Sequence, residues 1–202
     1  MIMKVYFINI ADFSDRQLEE CLESMSDERK AEISKLKNPL SVKQKTAGDY
    51  LIKKAVSDFC GIPSDEILIK KDLNGKPYAG NIAVKFNVSH GNDAVVCAVS
   101  ENDIGIDIEK IRDVKFRVAE RFATEEERAY IGENRERFFE IWTLKEAYFK
   151  CIGTGLGADI RNVSFRVENQ KIECSEKGFR CSFYPLAQGY CCSICEKISD
   201  TE

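Results

Sequence analysis

Two carboxylates stand two residues apart in the segment IGIDIEKI, Ile104 to Ile111: Asp107 and Glu109. The segment alternates as a strand does, and side chains at i and i+2 leave a strand on the same face. Like charges on one face repel unless a cation sits between them. Magnesium suits that place, because it takes oxygen ligands, keeps some of its waters and is held by a few carboxylates together with substrate phosphates. A third acid, Glu146, lies on a separate segment and could complete the set, with Lys150 four residues on and on the same helical face. The plainer readings are a polar strand face turned to water and an ordinary i,i+4 surface pair.

Other residues fit a phosphorylated ligand. His90 is the sole histidine; it follows Ser89 at a strand end in FNVSHG. A hydroxyl, an imidazole and free backbone amides there suit a phosphate, although a lone histidine is more often structural. Gly75-Lys76-Pro77 puts a lysine on a tight turn, where it can act as a point charge for phosphate. Lys145 falls inside the apolar stripe formed by Phe138, Ile141, Trp142, Tyr148, Phe149 and Ile152, so it needs a partner or a route to solvent. The GTGLG run from Gly153 follows a helix instead of opening one. It reads as a C-cap and not as a dinucleotide fingerprint.

These residues need elements to hold them. MKVYFINI reads as a strand. SDRQLEECLESM and SDERKAEISKLK open with Ser-Asp N-cap signatures. A long helix runs from Leu40 to Cys60, ended by Gly61 and Pro63. EILIKKD is a short strand, and LNGKPY a turn in which Asn74-Gly75 suits positive φ. IAVKFNVS and AVVCAVS are strands joined around His90-Gly91. VKFRVAERF is helical, as is TEEERAYIGE, with Thr124 and Glu127 as a capping box. RERFFEIWTLKEAYFKCIG is a strong helix stopped by Gly153, and NVSFRVE, KGFRCSFYPL and YCCSICEK are strands. Each half therefore reads as helices on a small antiparallel sheet, and DAVVCAVSE and GYCCSICEK share a loose pattern that hints at an internal repeat. The fold expected is α+β, a pair of similar halves, 1–102 and 103–202, packed tightly as one unit with a groove between them.

Bulk properties narrow the function. The chain has 202 residues, 44% apolar and 32% charged, enough for a sizeable core. A net charge of −4 argues against a general nucleic-acid or membrane binder. Between Arg29 and Lys54, however, eight basic residues face only two acids, Glu32 and Asp49. No secretory signal or membrane-length apolar run is visible, and nine cysteines without a signal point to reduced thiols in a cytoplasm. Cys192 and Cys195 form a CxxC with no matching second pair, so they read as small buried apolar residues and not as a zinc knuckle.

In order, the motifs are GKP, FNVSH, GIDIE, WTLKEAYFK and GTGL. This series, from about Lys76 to Leu156, resembles the 4′-phosphopantetheinyl transferases, specifically the larger single-chain kind that activates surfactin synthetase. The resemblance implies a pseudo-dimer with its active site in the cleft between the halves. It implies a monomer that binds coenzyme A and magnesium and transfers the phosphopantetheine arm to a serine of an apo acyl or peptidyl carrier protein, with adenosine 3′,5′-bisphosphate as the other product. It implies that Asp107, Glu109 and Glu146 hold the metal, and that Lys150 helps to stabilise charge on the diphosphate. Glu146 would also be the base for the carrier serine, directly or through a water.

The resemblance further implies that His90, with Ser89 beside it, meets the 3′-phosphate of coenzyme A, and that Gly75, Lys76 and Pro77 form the turn near the nucleotide. The family places two basic residues, three apart, on an N-terminal helix for the same phosphate. Arg29 matches the first, but Glu32 stands at the second. Lys30 or Lys35 could replace it after a shift in register, with Lys43 or Lys45 assisting. Arg112 to Phe122, with Phe116, Val118 and Phe122, matches a carrier-docking region, or else packs its apolar face inward. Two other functions stay open: a magnesium-dependent phosphohydrolase, and a non-catalytic binder of coenzyme A or of a carrier.

Overall fold

The computed structural model describes residues 3–73, 75–155, 160–169, 171–186 and 189–198. Serine and asparagine caps start its helices where the sequence puts them. Ser14 accepts from the Gln17 amide in a closed capping box to begin α1 (Asp15–Ser24), and Ser26 accepts from the Arg29 amide to begin α2 (Asp27–Ser34). Asn38 caps α3 (Pro39–Cys60), which stops at Gly61 with φ +70°. Thr124 and Glu127 close the expected box on α4 (Glu125–Ile131), and Asn134 caps α5 (Arg135–Ile152).

The strands build one topology twice. β1 (Lys4–Asn9), β4 (Lys85–Gly91) and β5 (Ala94–Ser100) form an antiparallel sheet in the order β1-β5-β4. β6 (Ile104–Lys110), β9 (Phe179–Phe183) and β10 (Tyr190–Lys197) form another in the order β6-β10-β9. In each half a first strand leads through helices to a two-stranded ladder and then to a pair of strands, the second of which takes the centre of the sheet. The ladders are β2 (Ile69–Lys71) with β3 (Pro77–Ala79), and β7 (Phe165–Glu168) with β8 (Lys171–Cys174). The two loosely similar segments of the sequence are the two central strands, β5 and β10. The α+β pseudo-dimer is therefore present as expected.

Each sheet has a core of its own under its long helix. Leu51, Ile52, Ala55 and Val56 of α3 bury against Val95, Cys97 and Val99; Ile141, Leu144, Ala147 and Phe149 of α5 bury with Phe165, Cys191 and Cys195. A third cluster joins the halves, with Ala94, Val96 and Ala98 facing Ile104, Ile106, Ile108, Cys192 and Ile194. Cys192 and Cys195 are buried in different clusters, on opposite faces of β10, so this CxxC does not converge on a metal. All nine cysteines are free thiols.

Several elements depart from the sequence reading. β4 runs on through His90 to Gly91, and the turn lies at Asn92, whose φ is +50°. β3 and β8 were not expected, being too short to show alternation. Phe116–Arg121 is a 3₁₀ helix, and its N-cap Lys115 makes no side-chain cap bond. Gly75 has φ +80°, as its turn requires, while Asn74 lies outside the described residues. Gly153 ends α5 with φ +79°; Leu156 and Gly157 of the GTGLG run also lie outside the described residues. No helix among the described residues is long and apolar enough to cross a membrane.

Candidate active site

The halves meet where β4 lies against β6. Alternate residues of β4 face it. Asn87 Oδ1 accepts from the Ile106 amide at 3.0 Å, Ser89 Oγ donates to Asp107 Oδ1 at 2.8 Å, and a Cβ added at Gly91 would stand 2.4 Å from the Ile108 carbonyl oxygen. Only glycine permits that approach. α5 closes the other side of β6 as tightly, since a Cβ at Gly105 would lie 1.9 Å from the Ala147 carbonyl oxygen. These two contacts bring Ser89 from one half, and Glu146 and Lys150 from the other, around Asp107.

Asp107 is buried and divides its carboxylate. Lys150 Nζ reaches Oδ1 at 2.6 Å and also donates to Ser89 Oγ at 2.9 Å. Oδ2 is buried with no hydrogen-bond partner among the described residues. Glu146 is half-buried, and its pKa is pushed up to about 7 by desolvation, then by the Asp107 charge, with Lys150 opposing and Glu109 adding. The three acids therefore act on one another. They are not gathered into a ready cage: among the described residues no three His, Cys, Asp or Glu side chains form a metal-holding group. Glu109 is drawn to Arg112 at 2.9 Å, while Lys150 occupies Oδ1 of Asp107. An oxygen-only donor set with an orphaned carboxylate oxygen suits a hard cation such as magnesium.

A field of cations lies beside this cluster. Val88 and His90 point to the opposite face of β4 from Ser89, toward α3. The His90 pKa is lowered by desolvation and by the Lys45 and Lys150 charges, even though its edge is exposed. Lys45 is lowered likewise, by desolvation and by Arg29, with Lys71 and Lys150 adding and Asp49 opposing. Five basic groups, Arg29, Lys45, Lys71, His90 and Lys150, thus share one neighbourhood, as an anion site requires. Lys76 reaches across the junction to donate to the Lys150 carbonyl oxygen at 2.6 Å. It lines a cavity of about 360 Å³ with Pro77, Phe86, Asp103, Cys151 and Gly153.

Family models match both halves of the chain. One described as "4'-phosphopantetheinyl transferase, N-terminal" matches residues 12–102, and one described as "4'-phosphopantetheinyl transferase superfamily" matches residues 103–195. The 4′-phosphopantetheinyl transferase gsp of Aneurinibacillus migulanus is 30% identical over 210 residues, covering 98% of this chain and 87% of that protein. The chain belongs to the 4′-phosphopantetheinyl transferase superfamily. The transferase Sfp of Bacillus subtilis (strain 168) is 25% identical, covering 98% of this chain and 94% of its own. The L-aminoadipate-semialdehyde dehydrogenase-phosphopantetheinyl transferase of Xenopus laevis is 31% identical over 173 residues, covering 76% of this chain and 57% of its own.

Glu32, the position that departs from the transferase pattern, is a hub. It accepts from Arg29 at 2.6 Å and from Lys71, and these hydrogen bonds, that of Lys71 first, hold its pKa down at about 2. Arg29 is also clasped by both carboxylate oxygens of Asp49, at 2.7 and 3.1 Å. Glu32 thus joins Arg29 of α2 to Lys71 of β2. Lys30 and Lys43 are committed elsewhere, Lys30 to the Glu23 carbonyl oxygen at 3.0 Å and Lys43 to Asp15 at 3.6 Å. Lys71 was missed in the sequence, although it lies five residues before Lys76 and pairs with Pro77 across the ladder.

Lys145 has the partner its position demanded. Its amine meets Glu127 at 2.9 Å, with both side chains fully buried, and also donates to the Ile160 and Val163 carbonyls. Glu127 accepts from the Thr124 and Phe165 amides, so one pair ties α4, α5 and β7 together. Of the apolar residues in the suggested docking segment, Phe122 is buried and Phe116 packs on Phe138 at 6.4 Å between ring centroids; Val118 is 39% exposed. The inward-packing reading therefore holds for two of the three.

Proposed function

We propose that this protein transfers the 4′-phosphopantetheine group of coenzyme A to a serine hydroxyl of an apo acyl or peptidyl carrier protein, with magnesium, releasing adenosine 3′,5′-bisphosphate. The observation that carries this reading is Asp107, half-neutralised by Lys150 and half-orphaned, standing between the Glu146 carboxylate and a pocket of cations. Superfamily membership supports the same reaction.

Asp107, Glu109 and Glu146 would hold the magnesium, which neutralises charge on the diphosphate when bound. Arg29, Lys45, Lys71 and His90, with Ser89 next to it, bind the 3′-phosphate side of coenzyme A. Gly75, Lys76 and Pro77 flank the nucleotide beside the cavity. Glu146 takes the proton of the carrier serine, directly or through a water; its carboxyl is pushed up to about 7 in the metal-free protein, and a bound cation would favour the carboxylate that this task needs. The serine oxygen bonds to the phosphorus that bears the pantetheine arm. The bond from that phosphorus to the bridging oxygen breaks, and adenosine 3′,5′-bisphosphate leaves with Lys150 near the developing charge. The halves 1–102 and 103–202 work as one unit and the chain acts as a monomer, because each half supplies part of the site.

Release of adenosine 3′,5′-bisphosphate from coenzyme A, followed with and without an apo carrier protein, tests this reading. Carrier-dependent release supports the transferase. Carrier-independent release would identify a phosphohydrolase, and coenzyme A binding without release a non-catalytic binder.

A further inference from the structure

A set of thiols on the β9 side of the second sheet takes no part in the proposed reaction. Cys181 on β9 and Cys195 on β10 are directly opposite in the antiparallel register, with their sulfurs 2.9 Å apart. Residues directly opposite in such a ladder have Cα atoms about 4.5–5.5 Å apart, within the span a disulfide bridges. Cys195 is fully buried under α5, whereas Cys181 is half-buried and reachable from solvent. Cys174, on the neighbouring β7–β8 ladder, approaches Cys181 from the other side but shares no strand register with it.

From this geometry we propose that Cys181 and Cys195 are a reversible dithiol–disulfide pair that exchanges with small neutral disulfides, Cys181 being the entry thiol and Cys195 the resolving one. In the first step the Cys181 thiolate attacks one sulfur of the small disulfide, whose S–S bond breaks, and one small thiol leaves carrying a proton. In the second, Cys195 gives up its proton and attacks the Cys181 sulfur, displacing the other half of the reagent as a second thiol. Two protein thiols are oxidised and one external disulfide is reduced.

The surroundings favour this order. Contacts with the Cys174 and Cys195 sulfurs, the latter at 2.9 Å, lower the pKa of Cys181. Two other thiols that reach the surface away from this cluster, Cys21 and Cys60, have raised pKa values, each chiefly through desolvation. They are internal controls for accessibility without activation. The pair is separate from the transferase reading, since neither residue lies in the Asp107 cluster.

The test is to expose the full chain to 2-hydroxyethyl disulfide, block residual thiols with iodoacetamide at timed intervals, and map the cysteines by peptide mass spectrometry. The expected result is a Cys181–Cys195 link, reversed by dithiothreitol, formed at least about tenfold faster than modification of Cys21 or Cys60. In Cys195→Ala the reagent should remain on Cys181 as a mixed disulfide. Should that variant not fold, the map of the unaltered chain decides alone. A Cys174–Cys181 link in place of the expected one, or reaction of Cys181 no faster than that of Cys21 and Cys60, would overturn the proposal.

Discussion

Lys150 Nζ lies 2.6 Å from one carboxylate oxygen of Asp107, whose other oxygen is buried without a hydrogen-bond partner among the described residues. A buried acceptor left unmatched costs about 1–3 kcal/mol. Lys150 and Ser89 both donate to Oδ1 and leave Oδ2 to one side. On the proposed reading, a bound cation would relieve that cost.

Asp107→Ala should therefore remain folded and lose transfer activity by at least about a hundredfold, as removal of a preorganised charge in an active site does. The metal reading has a second readout. Magnesium should raise the melting temperature of the unaltered protein and leave that of Asp107→Ala unchanged. A folded Asp107→Ala protein with near-normal turnover would sink the metal site.

Glu146 makes a prediction about pH. Its folded pKa of about 7 is above the ordinary value of 4.5, so the fold favours the protonated form. The stability it contributes is fully present below about pH 4.5 and is lost as pH rises through about 7. In chelator, Glu146→Gln should melt close to the unaltered protein at the acid end and above it on the alkaline side of that window. Thermal melts across the range measure the difference, and a constant offset would contradict the assignment.

His90 is the sole histidine, which makes it a single-resonance probe. The Lys45 and Lys150 charges help to hold its pKa down in the free protein, so a phosphate bound among them should raise it. Proton NMR titration with coenzyme A should show that rise, and 3′-dephospho-coenzyme A should not. His90→Ala and Lys71→Ala should each raise the KM for coenzyme A with little change for the dephospho form. Equal losses on both substrates would remove these residues from the 3′-phosphate pocket.

The buried pair of Lys145 and Glu127 predicts stability. Lys145→Met strands the Glu127 charge and should cost about 3–5 kcal/mol in urea unfolding. Adding Glu127→Gln removes the stranded charge, so the double variant should cost less than the sum of the single ones. Strict additivity would mean that the two side chains do not interact.

How far the sequence carried this account depends on the range of the interaction. Helix caps act over three or four residues, so Ser14, Ser26, Thr124 and Gly153 could be read directly. The face shared by Asp107 and Glu109 followed from strand alternation, and the need of Lys145 for a partner followed from its place in an apolar stripe. What could not be read was which distant residue would answer. Glu127 answers Lys145 across the α4–α5 turn, and Lys71 answers Glu32 from another element 39 residues away. Glu32 looked like a charge of the wrong sign because the sequence shows α2 alone and not the lysine that β2 brings beside it. The extension of β4 past His90 was hidden too, since Gly91 reads as a turn residue until the Ile108 backbone is seen beside it.

The most direct measurement is the intact mass of an apo acyl carrier protein and an apo peptidyl carrier protein, each incubated with this protein, coenzyme A and magnesium, with and without chelator. A gain of one phosphopantetheine is expected on at least one carrier. That gain should vanish with chelator, and with a carrier whose acceptor serine is replaced by alanine. Tight coenzyme A binding by calorimetry with no mass gain on either carrier, or a gain that survives both controls, would contradict it.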